Sequence, residues 1–269
     1  MYLALTRAVP RSIDRCELTH VERTPIDYAR ATEQHAAYEE CLRRLGCRVE
    51  RLPAADDWPD SVFVEDAAVV FDEIAIITRP GAVSRRGEVE AMANALRPHR
   101  RLAFVQPPGT LDGGDVLVTP GTVFVGISGR TNADGARQLA THIAPFGFET
   151  ISVPVTGCLH LKSAVTLAKG ALPPEGGALP PKGGSCLVIN PDLVDPGIFA
   201  RFELIEVDPQ EPMAANVLVV GDRVMCAEEH PRTRRRLEAH GLVTVTVPAG
   251  ELAKAEGAVT CCSVFVRNT

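Results

Sequence analysis

One pattern of apolar and polar positions occurs five times along the chain. An apolar run, a short turn and a second apolar run appear in "EDAAVVFDEIAIITRPG" from Glu65, "LDGGDVLVTPGTVFVGIS" from Leu111, "HLKSAVTLAKG" with "SCLVIN" from His160, and "AANVLVVGDRVMCAEEHP" from Ala214. The fifth, "CCSVFV" from Cys261, lacks a second run, which "MYLALTRAVP" at the other end of the chain supplies. Helical spacing follows each pair, over 84–97, 131–146, 192–201, 231–240 and, for the unit completed by the N-terminal run, 27–45. Val89, Met92 and Leu96 mark one such apolar face. Asp192 and Pro231 read as helix starts. A third strand closes each unit: "RRLAFVQ", "FETISVPV", "FELIEVD", "LVTVTVP" and "CRVERLP". The pattern predicts five strand–strand–helix–strand units in one α/β domain spanning 1–269, with the two ends of the chain paired.

A circular repeat has a chemical consequence. The positions Glu65, Asp112, His160, Met213 and Cys261 lie 47, 48, 53 and 48 residues apart, so they recur at one phase and meet around one axis. Only "GALPPEGGALPPKGG", 170–184, interrupts the pattern, and its Gly and Pro content predicts an exposed flexible loop.

Composition narrows the function. The net charge of −6 argues against a nucleic-acid partner or an acidic membrane surface, both of which need basic faces. The apolar start is too short for a membrane span or an export signal, so a cytoplasmic protein is expected. The eight cysteines form no CxxC pair, and most read as small buried hydrophobes.

The residues at the repeat's common phase are a thiol, an imidazole and carboxylates: Cys261, His160, Asp112, Glu65 and Asp66. Together they make a nucleophile, an acid/base and an orienting partner. A thiol needs a nearby cation to ionise at neutral pH, which a protonated His160 or a cationic substrate would provide. Two adjacent carboxylates suit a guanidinium, which is planar, always charged and bidentate. Taken singly, each residue has a plainer reading: a half-buried histidine, a glycine turn with unusual backbone angles, a solvated strand end, a core thiol. In a strand, Cys261 and Cys262 would face opposite ways, and alternation alone does not say which one faces the centre.

The segments "SVFVEDAAVV", "ITRPGAVSRRGEVE", "TLDGGDVL", "RTNADGA", "LHLKS" and "VTCCSV" together resemble the dimethylarginine dimethylaminohydrolase family, nearly end to end. The resemblance implies a pentein fold, a five-bladed α/β propeller with pseudo-five-fold symmetry, and a small-molecule substrate, a methylated arginine. It implies that Cys261 attacks the guanidinium carbon, that His160 serves as general acid and then general base, and that Asp112 orients His160. Asp66 would bind the guanidinium with Glu65 nearby. Arg85 and Arg130 would clamp the α-carboxylate; Asp60 and the Leu18 backbone would reach the α-amino group, with Ala255 on the substrate side. No metal or organic cofactor is implied, and either a monomer or a homodimer is compatible. An Arg85 at a helix start opposes the local dipole, which an anionic ligand would explain. Glu256 departs from the family's usual Asp. Two other readings stand beside this one: an arginine deiminase, usually a longer chain, and a non-catalytic binding protein on the same fold.

Overall fold

The second run of each pair is apolar at nearly every position rather than alternating, which suits a strand covered on both faces. The structure, a computed structural model that describes residues 2–169 and 184–267, arranges these runs accordingly. Among the described residues there are five three-stranded sheets. In the first, β1 (Tyr2–Arg7) lies between β2 (Arg48–Leu52) and β15 (Val264–Arg267), so the two ends of the chain share a sheet. The second holds β3 (Ala68–Val70), β4 (Ile74–Ile77) and β5 (Arg101–Phe104). The third holds β6 (Val116–Thr119), β7 (Thr122–Ile127) and β8 (Glu149–Pro154). β9 (Val165–Lys169), β10 (Cys186–Ile189) and β11 (Glu203–Glu206) form the fourth. The last comprises β12 (Leu218–Val220), β13 (Arg223–Ala227) and β14 (Val243–Val247). In every sheet the middle strand pairs antiparallel with one neighbour and parallel with the other.

Alternate residues of each middle strand enter different cores. Leu3 and Leu5 pack with Ile77, Met92 and Val266, whereas Ala4 packs with Met225 and Cys262. Ile74 and Ile76 meet Val123 and Val125; Phe124 meets Leu187 and Ile189; Val188 meets Val224 and Cys226. Each of these five clusters is shared by two sheets, and one of them joins the last sheet to the one that holds both chain ends.

Four of the expected helices are present: α1 (Tyr28–Arg44), α2 (Val89–Leu96), α3 (Ala133–Ile143) and α5 (Pro231–Ala239), with the one-turn helices α4 (Leu161–Ala164) and α6 (Gly250–Ala253) in between. Asp27 caps α1 by accepting from Arg30 N, and Pro231 opens α5 as expected. The segment 192–201 forms only a 3₁₀ turn, Pro196–Phe199, capped by Asp195 and not by Asp192. Pro196 lacks an N–H and holds Asp195 extended, and Gly197 weakens any continuation. The helix expected from residue 84 starts at Val89, after a separate 3₁₀ turn over Val83–Arg85. Apart from Gly184, the loop expected over 170–184 lies outside the described residues. Among them, no helix is long and apolar enough to cross a membrane.

Leu5, fully buried in the sheet that joins the chain ends, has a direct thermodynamic readout. Leu5→Ala should cost about 2–5 kcal/mol in urea unfolding. Val83→Ala, at a side chain 72% exposed, should stay within about 0.5 kcal/mol of the parent.

Candidate active site

The chemical residues stand just before the strands, on the turn that opens each unit. Glu65 and Asp66 lie on the 3₁₀ turn Val64–Ala67, Asp112 precedes the 3₁₀ turn Gly113–Asp115, and His160 precedes α4. Cys261 is in a turn over 259–262, ahead of β15. Strand alternation therefore does not separate Cys261 from Cys262. What separates them is packing. Cys262 is 1% exposed in the cluster with Ala4, while Val264 and Val266 pack in the neighbouring one, so Cys262 does not share a packed face with them as a continuous strand would require. Among the described residues every other cysteine is buried; Cys261 alone is partly open.

Hydrogen bonds run from each turn to the next and return to the first. Gly114 N donates to Asp66 Oδ1 at 2.9 Å, and His160 Nε2 lies 3.1 Å from Asp112 Oδ2. Asn216 donates to Lys162 O and to Thr260 Oγ1, and Glu65 N donates to Cys261 O. The paired glycines allow this spacing through their size, not through unusual backbone angles as expected, since neither has a positive φ. A Cβ on Gly114 would sit 2.5 Å from His160 Nδ1, and one on Gly113 would overlap the Glu65 carbonyl.

Electrostatics set the protonation states. Burial alone would lower the His160 value, but Asp66, Asp112 and Asp115 raise it to about 9. Although burial favours its neutral form, Asp66 is held well below the usual carboxylate range by His160, Arg85 and the Gly114 N–H. Burial, with Glu65 and Asp66 close by, pushes the Cys261 thiol up to about 12, so it is protonated at neutral pH. Asp66, Asp112 and His160 bring one possible ligand atom each within 4.8 Å of one another. Their atoms already serve Arg85, Gly114 N, Gly81 N and each other, a satisfied network and not an open metal cradle.

Two spaces meet at His160 and Cys261. One is a narrow cleft that Asp60, Asp66, Arg85, Arg130 and Ala255 also line. The other is a chamber of about 210 Å³ that includes Glu65 and Lys162. Asp112 is wholly buried behind His160. Leu18, expected on the substrate side, packs against the core beside α1, and its neighbour Glu17 lines the cleft.

Arg85 does not wait for an outside anion. It precedes α2 in its own turn, and its guanidinium bonds Asp66 at 2.6 Å, Glu88 at 2.8 Å and the Asp60 and Phe63 carbonyls. The argument from an opposed helix dipole falls with the shorter helix. Arg130 differs: it is 8% exposed, Nη2 reaches Thr19 Oγ1, and Nη1 has no hydrogen-bond partner among the described residues. Asp112 Oδ2, at 3.9 Å, is too far to serve.

Sequence reasoning missed four partners. Lys162 bonds Glu65 at 2.5 Å, so the cation that the acidic pair needs comes partly from the protein. Glu88 holds Arg85. Asn216, three residues past Met213, is the fourth unit's contribution. Asp115, fully buried, accepts from Leu161 N and Ser128 Oγ, tying His160's helix to the Arg130 loop, because Ser128 Oγ accepts from Arg130 N. "LHLKS" and "LDGGD" contained two of these residues, but their partners lie dozens of positions away. Glu256, at φ 57, accepts from Thr19 N and His20 N and holds that segment beside the cleft.

The raised His160 value links this site to stability. With a folded value near 9 against about 6.5 unfolded, His160 stabilises the fold fully below pH 6.5 and loses that contribution as pH rises through 9. The contribution is up to about 3 kcal/mol. Urea unfolding from pH 6 to 9.5 should show this fall in the parent and not in His160→Gln. Equal slopes in the two would mean that His160 titrates normally.

The chain is similar to known proteins along most of its length. The model of the family "N,N dimethylarginine dimethylhydrolase, eukaryotic" matches residues 14–164. N(G),N(G)-dimethylarginine dimethylaminohydrolase of Streptomyces coelicolor is 44% identical over 93% of this chain and 92% of its own. The protein of that name from Pseudomonas aeruginosa is 33% identical over 88% and 89%. A crystal structure of the Pseudomonas aeruginosa enzyme, a cysteine-to-serine variant complexed with citrulline, superposes with a TM-score of 0.88 at 32% identity, covering 98% of each chain. The chain belongs to the dimethylarginine dimethylaminohydrolase family, hydrolases of the pentein fold.

Proposed function

We propose that the protein hydrolyses Nω,Nω-dimethyl-L-arginine to L-citrulline and dimethylamine, and the monomethyl compound to citrulline and methylamine, on five units closed about one axis as a five-bladed propeller. One observation carries the reading. His160, backed by Asp112, and the partly open Cys261 line a cleft with Arg130, whose buried Nη1 has no partner among the described residues. An unpartnered buried guanidinium nitrogen is costly unless a ligand completes it, and an amino-acid carboxylate has the matching geometry.

In this reading Arg130 takes the α-carboxylate. Arg85 adds positive charge nearby while its N–H groups stay on Asp66 and Glu88. Asp60 and the backbone of Leu18 take the α-amino group, and Ala255 walls the cleft. The guanidinium then arrives beside Asp66, Glu65 and Cys261. Its charge offsets the burial and the acids that keep the thiol protonated, so on binding the thiol releases its proton to solvent and becomes the attacking thiolate. Sγ bonds to the guanidinium carbon. His160, in its acid form near neutral pH, gives its proton to the departing dimethylamine as that C–N bond breaks, leaving an S-alkylthiouronium. Now neutral, His160 removes a proton from water, whose oxygen bonds to the same carbon. Collapse expels the thiolate and yields citrulline. Asp112 holds the imidazole in place throughout.

The test is citrulline release from dimethylarginine, monomethylarginine and arginine in separate assays. Release from the methylated substrates is expected. Release from arginine alone would favour a deiminase instead, and none from any of them would overturn the hydrolase reading. Cys261→Ser should abolish turnover and Cys262→Ser should keep most of it; the reverse would place the nucleophile wrongly. Gly114→Ala should lower activity at least about 100-fold by displacing His160 while the protein stays folded by circular dichroism.

A further inference from the structure

We infer that the chamber beside Cys261 is a subsite for a large, uncharged substituent on the distal guanidine nitrogen, so that the protein acts on Nω-alkyl arginines bulkier than the methylated ones. The inference rests on the hydrolase reading above and extends its substrate class.

The cleft and the chamber share Leu159, His160, Glu256, Gly257 and Cys261, and beyond these the cleft runs to Asp60 and Arg130 while the chamber runs to Met213, Ala227 and Ala249. With the amino-acid end at Asp60 and Arg130, the substrate chain fills the cleft and places its guanidinium carbon at Cys261. The nitrogen farthest from the chain then faces the chamber. Size comes next. A cavity of about 150 Å³ holds a benzene ring, and this chamber measures about 210 Å³. A dimethylamino group, with half of benzene's heavy atoms, leaves most of it unfilled.

The walls select by polarity. Val21, Leu159, Met213, Ala227, Ala249 and Ala253 present apolar surface. Most of the charged and amide groups among them are already engaged. Glu65 bonds Lys162 and Thr260, and Asn216 bonds Thr260 and the Lys162 carbonyl. Glu229 accepts from Ala249 N, and Glu256 accepts from Thr19 N and His20 N. Burial lowers the His230 value, so at neutral pH that ring adds no charge. A charged substituent would be desolvated here with only Ser163 and the exposed His20 left to meet it, whereas an apolar one would gain from burial. The reaction balances as for dimethylarginine: water and the Nω-alkyl arginine give citrulline and the corresponding primary amine, protonated by His160.

The experiment compares citrulline release from Nω-benzyl-L-arginine, Nω-carboxymethyl-L-arginine and dimethylarginine. The benzyl compound should reach kcat/KM within about 10-fold of dimethylarginine, and the carboxymethyl compound should be at least about 100-fold poorer. Two variants narrow the chamber, Ala227→Phe and Met213→Trp; the latter is at a side chain 48% exposed, which tolerates exchange. Each should lower the benzyl rate at least about 30-fold more than the dimethyl rate. Turnover of dimethylarginine with less than about 1% of that rate for the benzyl compound would overturn the inference and leave the hydrolase reading intact. Equal losses on both substrates in the two variants would also overturn it. No turnover of either substrate would overturn both.

Discussion

The contact on which the site depends is His160 held between Asp112 and Asp66, three side chains from three different units. Each carboxylate is buried, and a buried carboxylate needs a cation or donated hydrogen bonds. His160 serves both acids, so it stays protonated near neutral pH, and Arg85 completes Asp66. The geometry that allows this is the approach of the opening turns, which Gly113 and Gly114 permit by lacking side chains. The same crowding of acids acts on Cys261. Burial, with Glu65 and Asp66 close by, holds its thiol neutral. One charge arrangement thus leaves His160 charged and Cys261 protonated, the opposite of a preformed thiolate–imidazolium pair.

The fold was legible because its signal is local and repeated. Middle strands covered on both faces must be apolar throughout, and the expected strand positions recur in the five sheets. The helical segment at 192–201 failed for a local reason, the Pro196–Gly197 pair, whose effect outweighs the apolar spacing around it. Of the site, the common phase of Asp112, His160 and Cys261 was legible because a repeat turns sequence spacing into proximity. Their partners were not. Lys162 reaches Glu65 across 97 positions, close to two units, and Asn216 reaches Thr260 across 44, but hydrophobic spacing does not say which polar residue beside an anchor turns toward its neighbour.

Two expectations rested on elements that end sooner than the pattern suggests. Cys261 and Cys262 were expected on a strand, facing opposite ways, but both lie in a turn, and burial separates them instead. Arg85 was to need an anion because of a helix dipole, but the helix starts later and the anions are Asp66 and Glu88. In both cases the periodic pattern was carried a few residues past its true end. Turns and caps obey side-chain hydrogen bonding, which hydrophobic spacing does not encode.

Glu256 shows how a departure from a family's usual residue can be absorbed. Its two oxygens receive the N–H groups of adjacent residues, Thr19 and His20, and Thr19 in turn accepts from Arg130 Nη2. The segment that Glu256 fixes therefore also touches the arginine with the unpartnered nitrogen. Glu17 of the same segment accepts from Ser84 Oγ and donates its N–H to Asp60. The groups proposed to receive both ends of the amino acid, Arg130 and Asp60, are thus tied through one short stretch of chain to the wall that carries Ala255. A longer carboxylate at 256 extends the reach of that wall toward residues 19 and 20 and carries the same charge as the shorter acid, with both of its oxygens held by backbone N–H groups.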